Sequence, residues 1–499
     1  MSGIQRVVRE VAVRLLKMPE LDIVLFTWRN DERDLTVLDN ADFLRCYDEG
    51  AIKKNQIRKA GTLSLSAINA GDILFDLDST WDGRCYRRDE FIADIASRGV
   101  LYSSYIYDVI PIMHPEFWAG PNPPFYGYIA ANLRHADMLI TSVNETVRRL
   151  SFLADKAGIP VPPCTVSWLG SDFKSDGAAG EISKKAKKAV RGGRYILCVG
   201  TIEPRKNHKV VLDAYDERLA SLGINLVFAG RRGWLSDDLL MRIDRHPKKG
   251  KGFFFLEGEN DAAIAYLYKN AYAVVFPTFD EGFGLPLVEA LLHGAVCIAS
   301  DIPVMHEVGG NACDYFNPKS QSALAAVIEG YLKAPEKYDD CRRRAGLYKP
   351  VLWDDVAQSI KDALLPLKKD MRREDAMKDI HAEQIVKEIE EDIAAREIRA
   401  SGLNFPLMTV QMNLQENLAR ADKVHHIDAF SPVKGGRLKR FAKRAIRKLV
   451  RAAFRPQIDM QNEFNDAADR SLILLERYVR SLENRIAELE VRLNEGGRG

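Results

Sequence analysis

Short apolar runs of 4–7 residues alternate with helix-patterned segments twice over in this chain. The first set comprises "DIVLFTW" (22–28), "DILFDL" (72–77), "VLYSSYIYDVIP" (100–111), "ADMLITS" (136–142) and "CTVSW" (164–168). The second comprises "YILCVG" (195–200), "NLVFAG" (225–230), "GFFFLEG" (252–258), "YAVVFPT" (272–278) and "AVCIASD" (295–301), with helical patterns such as "HKVVLDAYDERLASLG" and "LPLVEALLHG" between them. A strand buried on both faces reads as a continuous apolar run, and the amphipathic segment after it reads as the helix that covers the sheet. Two such series predict an α/β protein with two Rossmann-like domains, residues 1–180 and 190–350, facing a cleft. Ligands are then expected at the carboxyl ends of the strands. "KSDGAAGEISKKAKKAVRGGR" (174–194) is rich in Gly, Ala and Lys and is expected to be a linker or surface segment.

Bulk composition excludes little. The chain is 46% hydrophobic and 28% charged with a net charge of +2, as in ordinary globular proteins, but charge can be segregated along a chain. The seven cysteines (Cys46, Cys85, Cys164, Cys198, Cys297, Cys313 and Cys341) form no CxxC pair and no zinc-spaced cluster, which predicts reduced thiols and no metal site. No apolar run reaches the ~18–20 residues that span a bilayer. The N-terminus lacks the basic start, apolar core and cleavage site of a signal peptide. A cytoplasmic location is therefore expected. No GxGxxG run follows a strand, and neither a nucleophile elbow nor a kinase motif set is present.

Two segments carry chemistry. In "FPTFDEGFGLPLVEALLHG" (276–294) a strand is expected to end at Thr278, a Gly-containing turn to follow, and Pro286 to open a helix. Free N–H groups and the positive end of the helix dipole suit a phosphate there. Glu281 and Glu289 lie eight residues apart, and each carboxylate can accept from two hydroxyls of a ribose or hexose diol. In "YILCVGTIEPRKNHKVVLDAY" (195–215) a strand ends at Gly200, and Arg205 and Lys206 precede the next helix. Two cations at a strand's carboxyl end can hold a diphosphate and neutralise it as a glycosidic bond breaks. A solvated basic turn is the plainer alternative.

These segments resemble the E-x7-E and "GT-EPRKN" motifs of the retaining glycosyltransferases of family 4, which have the GT-B fold. The order continues through "FAGRRGW" (228–234), "HEVGGNACDYFNP" (306–318) and "LWDDVAQSIKDAL" (352–364), the last resembling a helix (351–369) that returns from the second domain to the first. The resemblance implies a nucleotide-sugar donor site in 190–350 and an acceptor side in 1–180. Glu281 would then contact the donor hexose, Glu289 the ribose, and Arg205 and Lys206 the diphosphate. Gly200, Gly230, Gly282, Phe283, Gly284 and Leu285 would complete the donor-binding set. No metal and no cofactor beyond the donor is implied.

In the first half, "SGIQRVVREVAVRLL" (2–16) resembles the family's glycine loop and first helix, which would place Gly3 beneath the donor phosphates. The family has a strand before that loop and this chain has almost nothing before Ser2, so the first strand is expected to be missing or cut off. "YIYDVIPIMHPEFW" (105–118) resembles the segment where many members carry a His-Asp pair; here Tyr107 stands for the histidine, and Asp108 is retained as a catalytic candidate. His114 is either a further site residue or a surface or capping one. Asp76 and Asp78 have the Asp-x-Asp spacing of metal-dependent transferases, but they lie in the half without donor motifs, and no metal is expected on them. Asp78 and Trp81 are expected on the acceptor side instead.

The expected reaction is transfer of a hexose with retention, first from GDP-mannose by likeness to bacterial polysaccharide mannosyltransferases, to a lipid-linked or glycan acceptor. A non-catalytic scaffold is the alternative, favoured by Tyr107 and the missing strand. Residues 370–432 read as a charged helical linker. Residues 433–456 carry ten Lys/Arg and no acidic residue, with Leu438, Phe441, Ala445, Leu449 and Ala452 at helical spacing. That suits a helix lying on an anionic membrane, with a nucleic-acid arm or a solvated basic helix as rivals; no nucleic-acid partner is expected. Leu472, Leu475, Val479, Leu482, Ile486, Leu489 and Leu493 form a heptad seam, expected to make 457–495 a coiled coil that can dimerise the chain.

Overall fold

The computed structural model describes residues 3–27, 34–49, 57–78, 80–81, 88–118, 122–171, 181–367 and 381–400. The basic segment 433–456 and the heptad seam at 472–493 lie outside the described residues. The chain divides into Met1–Glu397 and Ile398–Gly499, and the fold below is that of the first unit. Among the described residues, no helix is long and apolar enough to cross a membrane.

Two parallel sheets form the frame. The first has four strands in chain order, β4 (Ile73–Asp76), β5 (Leu101–Ile106), β6 (Met138–Thr141) and β7 (Cys164–Val166). The second has six strands, β8 (Tyr195–Val199), β9 (Asn225–Gly230), β10 (Phe253–Glu257), β11 (Ala273–Phe276), β12 (Cys297–Ser300) and β13 (Cys313–Phe316), in the order β10-β9-β8-β11-β12-β13. With β8 counted as the first strand this is 3-2-1-4-5-6, the doubly wound order. The runs are largely apolar because both faces are covered: β5 is buried at all six positions, and β11 and β12 at all four of theirs.

The expectation that "DIVLFTW" opens the parallel sheet is corrected. Only Phe26–Thr27 is strand (β1), and it pairs antiparallel with β2 (Asp34–Leu38), which pairs antiparallel with β3 (Lys59–Ser64) in a separate sheet. Too few residues separate β1 from β2 for the crossover that parallel pairing needs, about a dozen or more. Strand β13, inside the stretch 306–318, was not foreseen as a strand.

One core joins the two sheets. Val7, Val11 and Leu15 of the helix Gly3–Leu16 pack in the same cluster as Trp353, Val356 and Ile360 of the helix Trp353–Leu364, together with Tyr105 and Ile140 of the first sheet and Leu197 and Val274 of the second. Ion pairs Arg14–Asp354 (2.6 Å) and Lys361–Glu20 (2.6 Å) flank that contact. Trp353 is fully buried against Gly170, where an added Cβ would lie 2.7 Å from the indole Cγ.

Two segments read as linkers, the second of them as a helical one, contain helices that pack on the cores. Lys184–Arg191 lies within 174–194 and buries Ala186 and Ala189. Ala382–Ala400 lies within 370–432, and its Ile385, Ile389 and Ile393 pack into the first-sheet core. Their spacing of four puts the three isoleucines on one helix face, each worth roughly 1.5–3 kcal/mol when buried. Arg396 ties the helix down further by donating to the carbonyls of Met113 (2.8 Å) and Ile112 (2.7 Å). Charge dominated the sequence reading of this stretch and hid the stripe.

Gly170→Ala should press a methyl group into the Trp353 ring and destabilise the fold by about 1–3 kcal/mol. Denaturant unfolding would show it, and an unchanged midpoint would refute this account of the junction.

Candidate functional site

The second sheet reverses its winding between β8 and β11. The chain leaves β8 toward β9 on one side, while β11 leads to β12 on the other, so the loops that follow them part and leave a crevice at their carboxyl ends. After β8 the chain passes through Gly200 (φ +150°) to the turn Pro204–Lys206 and then Asn207, which is left-handed (φ 49°). Asparagine tolerates that conformation better than most residues. Its Nδ2 donates to the carbonyls of Pro277 (3.0 Å) and Pro318 (2.8 Å), clasping the loops after β11 and β13. The Arg205 carbonyl accepts from the Phe279 N–H (2.8 Å) and the Thr278 hydroxyl (3.1 Å). The two loops are therefore one structure.

That clasp brings charges together. Arg205 donates through Nη1 to Glu281 Oε2 (2.8 Å) and the Asp280 carbonyl (2.8 Å), and through Nη2 to Glu203 Oε1 (2.8 Å). Lys206 Nζ donates to Glu281 Oε1. Burial alone would raise the Glu281 carboxyl, but Arg205 and Lys206 hold it down at about 2. Burial raises Glu203 despite the same two cations. A cavity of about 20 Å³ lies here, lined among others by Lys206, Glu281, Gly284 and Pro286. His208 also lines it, fully buried, with neither ring nitrogen bonded to protein. Burial, then Lys206, lowers that imidazole to about 3, so it is neutral.

The other residues named from sequence divide. Glu289 does not line this cavity; its Oε1 accepts from Arg6 Nη1 (2.7 Å) on the helix Gly3–Leu16, and burial raises its carboxyl. Gly3 lies beside Leu285, with room for a side chain (an added Cβ 3.5 Å from Leu285 Cδ1). A Cβ on Gly230 would fall on the Gly200 carbonyl, 2.6 Å from its carbon, so that glycine serves strand-to-loop packing. Gly284 has φ +97° and precedes the helix Leu285–Leu292, whose second residue is Pro286. Phe283 is buried, edge-on to Trp168, and its ring is part of the shared core.

From the first lobe, Asp108 reaches this loop: a Cβ on Gly282 would lie 3.2 Å from Asp108 Oδ2 and 2.8 Å from the Tyr107 carbonyl. Burial raises the Asp108 carboxyl, while its bond from the Ile110 N–H (2.9 Å) and the nearby Arg205 oppose that. Tyr107 is committed elsewhere, its hydroxyl donating to the Leu77 carbonyl (2.7 Å). His114 sits between Glu116 (Nδ1, 2.9 Å) and Asp280 (Nε2 to Oδ2, 3.5 Å). Trp81 packs on Phe125 (5.5 Å) and Tyr128 (5.4 Å) in the first-lobe core. Among the described residues, no group of three His, Cys, Asp or Glu side chains is placed to hold a metal ion.

Several residues at the site had not been foreseen. Arg149 grips Asp280 bidentately (2.7 and 3.0 Å), Ser142 Oγ donates to the Gly282 carbonyl (3.0 Å), and Glu203, Asn207 and Arg6 pair as described above. Asn207 and Glu203 lie in a quoted motif. Arg149, Ser142 and Arg6 lie far from the loop in sequence; Arg6 falls within the quoted segment 2–16 and Ser142 ends the run 136–142, but nothing in either run points to this loop.

Residues 181–347, which hold this crevice, match the family model for glycosyl transferases group 1. Over those residues the chain is similar to the group 1 glycosyl transferases. It is similar to the serotype-specific mannosyltransferase WbdA of Escherichia coli, at 31% identity over 259 residues, covering 49% of this chain and 31% of that protein. It is also similar to the O-antigen chain mannosyltransferase B of Escherichia coli, at 30% identity over 203 residues, covering 40% of this chain and 52% of the other. The chain thus spans between about a third and half of the length of these relatives. Among solved structures, it is similar to a sucrose-phosphate synthase from Thermosynechococcus elongatus, at 17% identity and a TM-score of 0.44, covering 56% of this chain and 70% of that one.

The depressed Glu281 has a measurable consequence. Its folded value of about 2 lies below the ordinary 4.5, so its contribution to stability is complete above pH 4.5 and is lost as the pH falls toward 2. Urea unfolding of wild type and Glu281→Gln at a series of pH values should differ in slope across that window. Parallel curves there would contradict the pairing.

Proposed function

We propose that the chain transfers a hexose from a nucleoside diphosphate sugar, with retention at the anomeric carbon, between two lobes in a GT-B arrangement. The observation that carries this reading is the Arg205–Lys206–Glu281 cluster at the winding reversal of the second sheet. A diphosphate brings the negative charge that Glu281 now supplies to these cations. On donor binding, Arg205 and Lys206 share their charge between the phosphates and Glu281, which stays ionised and accepts from hexose hydroxyls. Departure of the nucleotide builds charge on the β-phosphate oxygen, and preorganised cations in a water-poor site stabilise it strongly. The leaving oxygen takes the acceptor proton on the same face. Asp108 meets the reacting face from the first lobe, and Glu289, steered by Arg6, takes the ribose.

The similar Escherichia coli proteins are named mannosyltransferases, which supports GDP-mannose as first donor. A lipid-linked or glycan acceptor of bacterial surface-glycan assembly follows from the same likeness. The sequence of 433–456 supports attachment to an anionic membrane surface, and that of 472–493 supports self-association.

A thermal-shift panel of GDP, UDP, ADP and TDP sugars tests this first. The true donor at 100 times its Kd should stabilise the protein by about 2.7 kcal/mol. Lys206→Ala should abolish that shift and lower kcat about 100- to 1,000-fold. No shift with any nucleotide would transfer the assignment to a non-catalytic scaffold.

A further inference from the structure

We infer that Arg149, on the first lobe, positions Glu281 for transfer by holding Asp280, so that the donor-side carboxylate is correctly presented only while the lobes are engaged. This rests on the donor-site reading above and adds a residue that no motif contains.

The geometry is a relay of three groups. Arg149 Nη1 and Nη2 donate to Asp280 Oδ2 (2.7 Å) and Oδ1 (3.0 Å). Asp280 Oδ1 in turn accepts the backbone N–H of Glu281 (2.8 Å). The guanidinium is aimed by its Nε, which donates to Glu145 Oε1 one turn earlier (2.8 Å). The Asp280 side chain is 2% exposed and that of Arg149 14%, so the pair lies out of solvent, where breaking it leaves a carboxylate without a counter-charge. His114 Nε2, 3.5 Å from Asp280 Oδ2, is a further first-lobe group at this carboxylate.

The same loop is held on the far side of Glu281. Ser142 Oγ donates to the Gly282 carbonyl (3.0 Å), and Gly282 has no room for a Cβ against the Tyr107 carbonyl. Glu281 therefore sits between two residues that the first lobe grips, Asp280 by its carboxylate and Gly282 by its carbonyl. The helix Asn144–Lys156, which carries Arg149, is itself seated on the second lobe: Glu307 accepts from the N–H groups of Asn144 (2.6 Å) and Glu145 (3.3 Å) at its start. Arg205 and Lys206 belong to the second lobe and need none of these contacts. Separation of the lobes would thus leave the diphosphate cations in place and remove the Arg149 and Ser142 contacts that flank Glu281, which divides donor binding from transfer. Arginine suits this task because its planar fork fixes both oxygens of the carboxylate, which a lysine cannot do.

The test measures nucleotide release from GDP-mannose, UDP-glucose, ADP-glucose and TDP-glucose, and the affinity for each free nucleotide diphosphate, in the full chain. In R149Q and in D280N, kcat should fall about 10- to 100-fold, the range of a lost charge-assisted bond, while nucleotide affinity stays at the wild-type value. The double variant R149Q/D280N should lose no more than the worse single variant, because both act through one contact. R149K, which keeps the charge, guards against simple unfolding: it should melt near the wild type and still recover only part of kcat. Wild-type kcat in R149Q overturns the inference alone, as do multiplied losses in the double variant or an equal loss of nucleotide affinity. A wild-type chain that turns over none of the donors overturns the donor-site reading and this inference with it.

Discussion

Everything at the crevice depends on a carboxylate that is buried and still charged. Removing Glu281 from water favours its neutral form, and only the two cations at the end of β8 hold it ionised. That requires the loops after β8 and β11 to be locked together to within hydrogen-bond distance. Asn207, the Arg205 carbonyl and Thr278 do the locking with neutral bonds. The charges lie in place before any ligand arrives, so ligand binding adds partners and needs no assembly of the site.

Sheet topology makes the meeting possible. Arg205 and Glu281 are 76 residues apart, and they become neighbours because β8 and β11 are adjacent where the winding reverses. The first lobe is bound to this point by a continuous core around Trp353 and by polar contacts on either side of Glu281. The apolar contacts set where the lobes sit, and the polar contacts set how the loop 280–282 is presented. Of the two, the polar set is the one that a change in lobe position can switch.

Legibility in the sequence followed range of interaction. The runs that became β4 to β12 were visible because a strand buried on both faces must be apolar, whatever lies beside it. Arg205, Lys206 and Glu281 were visible because their segments resemble family motifs; charge in a turn after a strand reads by itself equally well as solvated surface. Strand β13 escaped because only its two ends are buried, and its run carries Asp314. The helix Ala382–Ala400 was expected as a helix, but its packing on the core escaped because three isoleucines were outnumbered by charges. Trp81, expected on the acceptor side, packs on Phe125 and Tyr128, and the Tyr107 hydroxyl is bonded to the Leu77 carbonyl; an aromatic ring near a motif looks the same in sequence whether it faces a ligand or a core.

Residue order was enough to establish two αβ series, the strand ends where a ligand belongs, and the charged residues of the second series, because each of these is a local property of a strand and its following turn. It could not assign Gly230 to backbone packing, pair Arg6 with Glu289, or bring Arg149 to Asp280. Those outcomes depend on which strands lie side by side and how two lobes share a core. They are properties of distance in space, on which a run of neighbouring residues is silent.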